Sequence, residues 1–134
     1  MRLPKGKSYI SKYRNKKTVV DGIQFDSKKE ADRYRKLKLL EEAGEILDLH
    51  RQVHYLLIPE QREFTGEFYS KGPNKGKQKP GKLLERKVEY IADFDYYLPT
   101  GEHIVEDTKG IRTKDYILKR KMMLYFHHIK ISEI

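Results

Sequence analysis

The chain has 134 residues, with 29 Lys and Arg against 20 Asp and Glu and a formal net charge of +9. That length suits one domain with a single modest core, and 37% hydrophobic content with 10 Tyr and 5 Phe excludes a wholly disordered chain. With no cysteine present, disulfide frameworks, thiolate zinc sites and cysteine nucleophiles are all ruled out.

A small basic domain most often meets a polyanion, nucleic acid ahead of a membrane surface. Acids kept inside that positive field point to specific work, with surface salt pairs as the plainer alternative. The opening MRLPKGKSYISKYRNKK is basic but has no apolar core, so no signal peptide is expected. No run approaches the length of a membrane span, and the expectation is a soluble cytoplasmic protein.

In chain order, residues 1–20 read as a mobile basic arm and 21–134 as a single domain. Ser27 with Glu30 three residues on forms a capping box, and Gly44 stands where a helix should stop, predicting a helix from Lys28 to Ala43. EILDLHRQVHYLLIPEQREF, with apolar Ile46, Leu49, Val53, Tyr55 and Leu57, suits one or two strands. SKGPNKGKQKPGK, residues 70–82, carries Gly, Pro and Lys without an apolar residue and reads as a flexible positive loop. LLERKVEYIADFDYYLP and EHIVEDTKG make a hairpin about Pro99-Thr100-Gly101. A second helix is predicted from Thr113 to Phe126 with Leu118, Met122 and Tyr125 on one face, and HHIKISEI closes as a short strand. The order α-β-β-β-α-β implies an α/β fold, a mixed sheet flanked by helices.

The turn sets the register. A three-residue loop with Gly101 in the left-handed position pairs Leu98 with Glu102, and counting down the strands brings Asp93 opposite Asp107. Two carboxylates so placed have Cβ atoms about 4.5–5.5 Å apart and repel, unless a divalent cation lies between them. Alternation puts Val88, Tyr90, Ala92, Phe94, Tyr96 and Leu98 on one face and Asp93 and Asp95 on the other. On the partner strand Asp107 and Lys109 share a face that Glu106 does not, so Asp107 is the ligand candidate. At about 100° per residue, Glu30 falls within the stripe of Ala31, Tyr34 and Leu37 and points inward. It is also explained by the capping box alone, and both readings stand.

SKKEADRY, YIADFDYY and VEDTKG, in that order, resemble the motifs of the PD-(D/E)XK nuclease superfamily, in particular small phage and prophage proteins akin to Holliday-junction-resolvase-type endonucleases. The resemblance runs from about Gly22 to Tyr125. It implies a restriction-endonuclease-like core in which Asp93 and Asp107 bind Mg²⁺ or Mn²⁺. Glu30 would complete the site directly or through water, and Lys109 would orient the attacking water and steady the phosphate. Ala92 stands where the family has proline, and Asp107 is the Asp variant of its acid. Phosphodiester hydrolysis by metal-activated water needs no covalent nucleophile.

Lys114, Lys119, Arg120 and Lys121 make the second helix basic. Lys119 admits two readings, an i,i+4 pair with Asp115 or a contact to the scissile strand. Lys75, Lys77 and Lys79 in the loop would grip phosphate backbone without reading sequence. The pairs His50 with His54 and His127 with His128 show no metal-ligand pattern and read as surface or packing residues. The expected activity is a metal-dependent DNA endonuclease on double-stranded or branched DNA. The resemblance implies a phage- or prophage-encoded protein in the bacterial cytoplasm, and symmetric cutting of two strands implies a homodimer. The alternatives are a non-catalytic nucleic-acid-binding protein and a nicking or end-processing nuclease without junction preference.

Overall fold

The computed structural model of the protein describes residues 17–134, and its first helix starts where the capping box requires. Ser27 Oγ accepts from the Glu30 amide at 3.1 Å, opening α1 over Lys28–Glu42. Ala43 caps its end, and Gly44 follows with φ 75°, the left-handed turn that glycine adopts without cost. Before α1, β1 (Thr18–Val20) and β2 (Ile23–Phe25) form a hairpin about Asp21 and Gly22, both at positive φ. Residues 18–20, read on sequence as the end of the basic arm, are therefore a strand, and Val20 enters the core. The rest of the expected arm, residues 1–16, lies outside the described residues.

The main sheet takes β3 (Leu47–Ile58), β6 (Val88–Tyr97), β7 (His103–Asp107) and β8 (Ser132–Glu133), in that spatial order. β3, β6 and β7 pair antiparallel, while β8 runs parallel to β7 after crossing over through α2 (Lys114–His127). The sheet is thus mixed, and α1-β3-β6-β7-α2-β8 reproduces the expected α-β-β-β-α-β order. β4 (Gln61–Arg62) and β5 (Leu83–Glu85) pair separately as a ribbon inserted between β3 and β6.

The helices cover opposite faces. Phe94 and Tyr96 pack with Ala31, Tyr34 and Leu37 of α1. Val105, which pairs with Asp95 and so points away from Phe94, packs with Tyr116 and Met123 of α2. Alternation along β6 does not persist, contrary to the expectation that even-numbered residues from Val88 to Leu98 share a face. Tyr90 and Ala92 lie with Val105 in the α2 layer, not with Phe94. β3 makes the same step: Arg51 stacks its guanidinium 4.5 Å from the Phe25 ring on the α1 side, while Tyr55 and Leu57 join the α2 layer. The strands keep one register from Arg51↔Phe94 to Val53↔Ala92. The step falls at Gln52, with φ 50°, and at Asp93 across from it. A left-handed residue in mid-strand turns the side chains after it to the other face.

Two further expectations change. The Lys-rich segment 70–82 is no loose loop: Glu63 N donates to Lys82 O (2.8 Å), Lys79 N to Glu67 O (2.8 Å) and Tyr69 N to Lys77 O (2.9 Å), extending the β4–β5 pairing toward its tip. On α2 the buried residues are Tyr116 and Met123; of the apolar face Leu118, Met122 and Tyr125, Met122 packs against that core while Leu118 and Tyr125 are exposed. Among the described residues, no helix is long and apolar enough to cross a membrane.

Candidate functional site

The hairpin about Gly101 has the expected geometry. Gly101 has φ 90°, Leu98 N donates to Glu102 O at 2.9 Å, and the ladder runs from Tyr97↔His103 to Phe94↔Glu106. One step further along this register Asp93 comes opposite Asp107, close enough for the Asp107 carboxyl to act on it directly. Two carboxylates so placed repel unless a proton or a cation lies between them. Burial first, then the neighbouring carboxyl and charge of Asp107, push Asp93 up to about 7, while bonds from Thr108 act the other way. Those bonds run from the Thr108 amide (2.8 Å) and hydroxyl (2.7 Å) to Asp93 Oδ2.

Asp107 ends β7 and is 2% exposed. Its Oδ2 accepts from the Tyr90 hydroxyl at 2.5 Å and lies 3.0 Å from Lys109 Nζ. The same ammonium sits 4.3 Å from the centre of the Tyr116 ring, held between a carboxylate and a π-face. Burial, with Asp107 as acceptor, raises the Tyr90 hydroxyl far above its ordinary value, fixing it as a donor. The face step at Asp93 is what brings Tyr90 to Asp107 at all.

Glu30 is both cap residue and interior acid. Its amide completes the cap, but its side chain turns inward, 6% exposed, and accepts from Gln52 Nε2 at 3.1 Å. Burial raises its pKa, opposed by Arg51 and reinforced by the charges of Asp26 and Asp107. Glu106 goes elsewhere: wholly buried, it takes Arg33 at 2.6 and 2.7 Å and also accepts from the Tyr96 hydroxyl. Glu106 is thus engaged on the α1 side, away from Asp93 and Asp107. Asp95, expected on the same face as Asp93, accepts from Tyr55 at 2.9 Å and contacts His50 and His103, each at 3.0 Å.

Beside Lys109 opens a cleft of about 330 Å³ lined by Ser27, Lys29, Thr108, Lys109, Gly110 and Thr113 among others. Both helices begin at it, Ser27 capping α1 and Thr113 capping α2. Lys29 Nζ reaches the Lys109 carbonyl at 3.3 Å. Two helix N-termini and two ammonium groups give the cleft a positive potential suited to an anion.

Among the described residues, no three His, Cys, Asp or Glu side chains are placed to hold a metal ion. A buried carboxylate, Asp107, beside a half-buried one, Asp93, nonetheless suits Mg²⁺, which is commonly held by one or two carboxylates with waters completing its shell. An all-oxygen donor set would suit a hard ion such as Mg²⁺ or Mn²⁺ over softer ones, and Glu30 is close enough to sense the charge of Asp107. A cation would also replace the proton that otherwise relieves the repulsion of Asp93 and Asp107.

The expected DNA-contacting residues divide. Lys114 is exposed at the start of α2, and Lys75, Lys77 and Lys79 are exposed on the ribbon. Lys119 pairs with Asp115 at 3.5 Å, the surface reading of the two. Arg120 binds Glu133 at 2.8 Å and Arg112 binds it too, tying α2 to β8 and holding Glu133 down at about 2. Residues missed on sequence are Lys29, Gln52, Tyr90 and Thr108. Thr108 lies inside VEDTKG, but Tyr90 and Gln52 join the site only through the face step, which no periodicity announces.

The chain belongs to the family described as "Protein of unknown function (DUF1064)", whose model matches residues 10–134. No curated protein and no solved structure matches it.

Proposed function

We propose that the protein is a metal-dependent DNA endonuclease with a restriction-endonuclease-like core, as its resemblance to PD-(D/E)XK nucleases implies. The observation that carries this reading is the placing of Asp93, held by Thr108, beside Asp107 at the end of β7, with Lys109 at 3.0 Å from Asp107. A like-charge pair under one ammonium is costly as mere structure and useful where charge must be neutralised during phosphate chemistry.

Asp93 and Asp107 would hold Mg²⁺, with Glu30 joining directly or through water. The bound ion supplies a lowered water pKa and a polarised phosphate. Lys109 orients the attacking water and offsets charge developing on the phosphate. Tyr90 fixes the Asp107 carboxylate, and Thr108 fixes that of Asp93, so neither turns away when the cation is absent. Lys29 and the helix N-termini draw a phosphate into the cleft. Branched DNA is the first substrate on the strength of the resemblance, and cutting two strands symmetrically calls for a homodimer. Incubation of labelled linear, nicked and four-way-junction DNA with Mg²⁺ or EDTA tests the reading: Mg²⁺-dependent strand cleavage is expected, and none on any substrate would refute it.

The rival reading is a nucleic-acid-binding protein in which these acids are structural. Its support is that no three-group metal cluster stands ready among the described residues. It predicts the same DNA binding with and without Mg²⁺, and no cleavage.

A further inference from the structure

The ribbon between β3 and β6 differs in composition from the sheet that carries it. Residues 68–82 contain five Lys and no Asp or Glu. Beside them two phenyl rings stand in solvent, Phe64 at 76% and Phe68 at 54% exposure. Phe64 stands in sequence between Glu63 and Glu67, and Phe68 opens the acid-free lysine stretch; exposed rings at that border serve neither the core nor solubility.

The rings sit on a built element. Phe68 bridges Gln78 across the ribbon, and the Tyr69–Lys77 and Glu67–Lys79 bonds flank that bridge. Gly66 turns with φ 70°, and the Phe64 ring lies 3.6 Å from where a Cβ would stand there. Gly81 admits no side chain, since a Cβ would lie 2.2 Å from the Glu63 carbonyl oxygen. The close approach of the two arms therefore depends on glycine at 81.

Lysines and exposed aromatic rings together match one polymer best. Single-stranded nucleic acid offers phosphates to ammonium groups and free π-faces to rings. A regular duplex hides those faces in its stack and would use only the lysines. We propose that the ribbon binds an unpaired stretch of nucleic acid, its bases stacked on Phe64 and Phe68 and its phosphates at Lys75, Lys77 and Lys79. The substrate of the site is then nucleic acid carrying unpaired bases, a deepening that rests on the nuclease reading above; the binding itself does not.

The chain has no Trp, so Phe64→Trp and Phe68→Trp each install a sole tryptophan, excited selectively at the red edge beyond tyrosine absorption. Affinity is measured in EDTA, by anisotropy, for a labelled thymidine oligonucleotide and for a blunt duplex. The Phe64→Ala/Phe68→Ala double variant is expected to bind the oligonucleotide at least about tenfold more weakly and the duplex within about twofold of wild type. The Trp variants should keep affinity and be quenched by the oligonucleotide but not by the duplex. The inference is overturned if the double variant loses nothing on the oligonucleotide, loses as much on duplex, or if neither Trp is quenched. Because both rings lie in solvent, unchanged thermal melting certifies the variants as folded. Cleavage in Mg²⁺ is scored separately, so an inactive wild type would refute the nuclease reading while leaving these binding results intact.

Discussion

Glu106 and Asp107 are neighbours in the chain that serve opposite faces of the sheet. Glu106 is locked under α1 by Arg33 and the Tyr96 hydroxyl, while Asp107 meets Tyr90, Lys109 and Asp93 on the other side. One acid is a fastening and the other a candidate ligand, and their variants should separate accordingly. Glu106→Ala leaves the Arg33 guanidinium without its partner and should cost on the order of 3 kcal/mol, read as a lower denaturation midpoint. Its specific activity per folded molecule should stay near wild type. A stable but inactive Glu106→Ala would reverse the two roles.

The raised pKa of Asp93 predicts a pH dependence with a definite sign. Folding lifts it from 3.8 to about 7, so the folded state holds this proton more tightly than the unfolded chain. Its stabilising contribution is complete below pH 3.8 and is lost as pH rises through that value to about 7. Metal-free wild type should therefore lose thermal stability across that window relative to Asp93→Asn, which has no such proton. Added Mg²⁺ should restore it at the upper end. Parallel melting curves for the two proteins would contradict a proton held by Asp93 beside Asp107.

Tyr90 acts on the site only through Asp107. Tyr90→Phe removes the 2.5 Å bond and should raise the Mg²⁺ concentration for half-maximal cleavage about tenfold or more, as loss of a ligand's supporting bond does. Saturating Mg²⁺ should recover most of the rate. A lowered maximal rate with unchanged Mg²⁺ dependence would assign Tyr90 to the chemistry itself.

Gly81 tests whether the ribbon is an independent device. Gly81→Val should separate its arms at Glu63 and speed tryptic cleavage after Lys71, Lys75 or Lys77, with little change in global melting. If the whole protein is destabilised instead, ribbon and core fold as one unit.

Much of the site was legible because its placement rests on local rules. Ser27 with Glu30 is a capping signature, and Pro99-Thr100-Gly101 sets a hairpin register that carries Asp93 to Asp107. The D-x-K spacing predicts that Asp107 and Lys109 meet, and they do, although β7 ends at Asp107 and the lysine follows it. What escaped needs tertiary context. Gln52 takes a left-handed conformation with no glycine to announce it, and the resulting face step alone delivers Tyr90 to Asp107. The ribbon lacks apolar alternation, since its strands are held by backbone bonds and close contact at Gly81 and bury no face. The β1–β2 hairpin did carry a signal, Asp21-Gly22 between apolar residues, overshadowed by the basic stretch before it. The buried face of α2 was not legible because apolar residues ring that helix, leaving Leu118, Leu124 and Tyr125 exposed.

The central claim is that Asp93 and Asp107 together hold a divalent cation that acts on a phosphodiester bond. Its most direct test compares wild type with Asp107→Ala on labelled four-way-junction and linear DNA, in Mg²⁺ and in EDTA, scoring cleavage and binding in parallel. The account predicts Mg²⁺-dependent cleavage by wild type and a loss of at least about a hundredfold in Asp107→Ala, with DNA binding retained. Identical behaviour of the two proteins, whether both cleave or neither does, would contradict it.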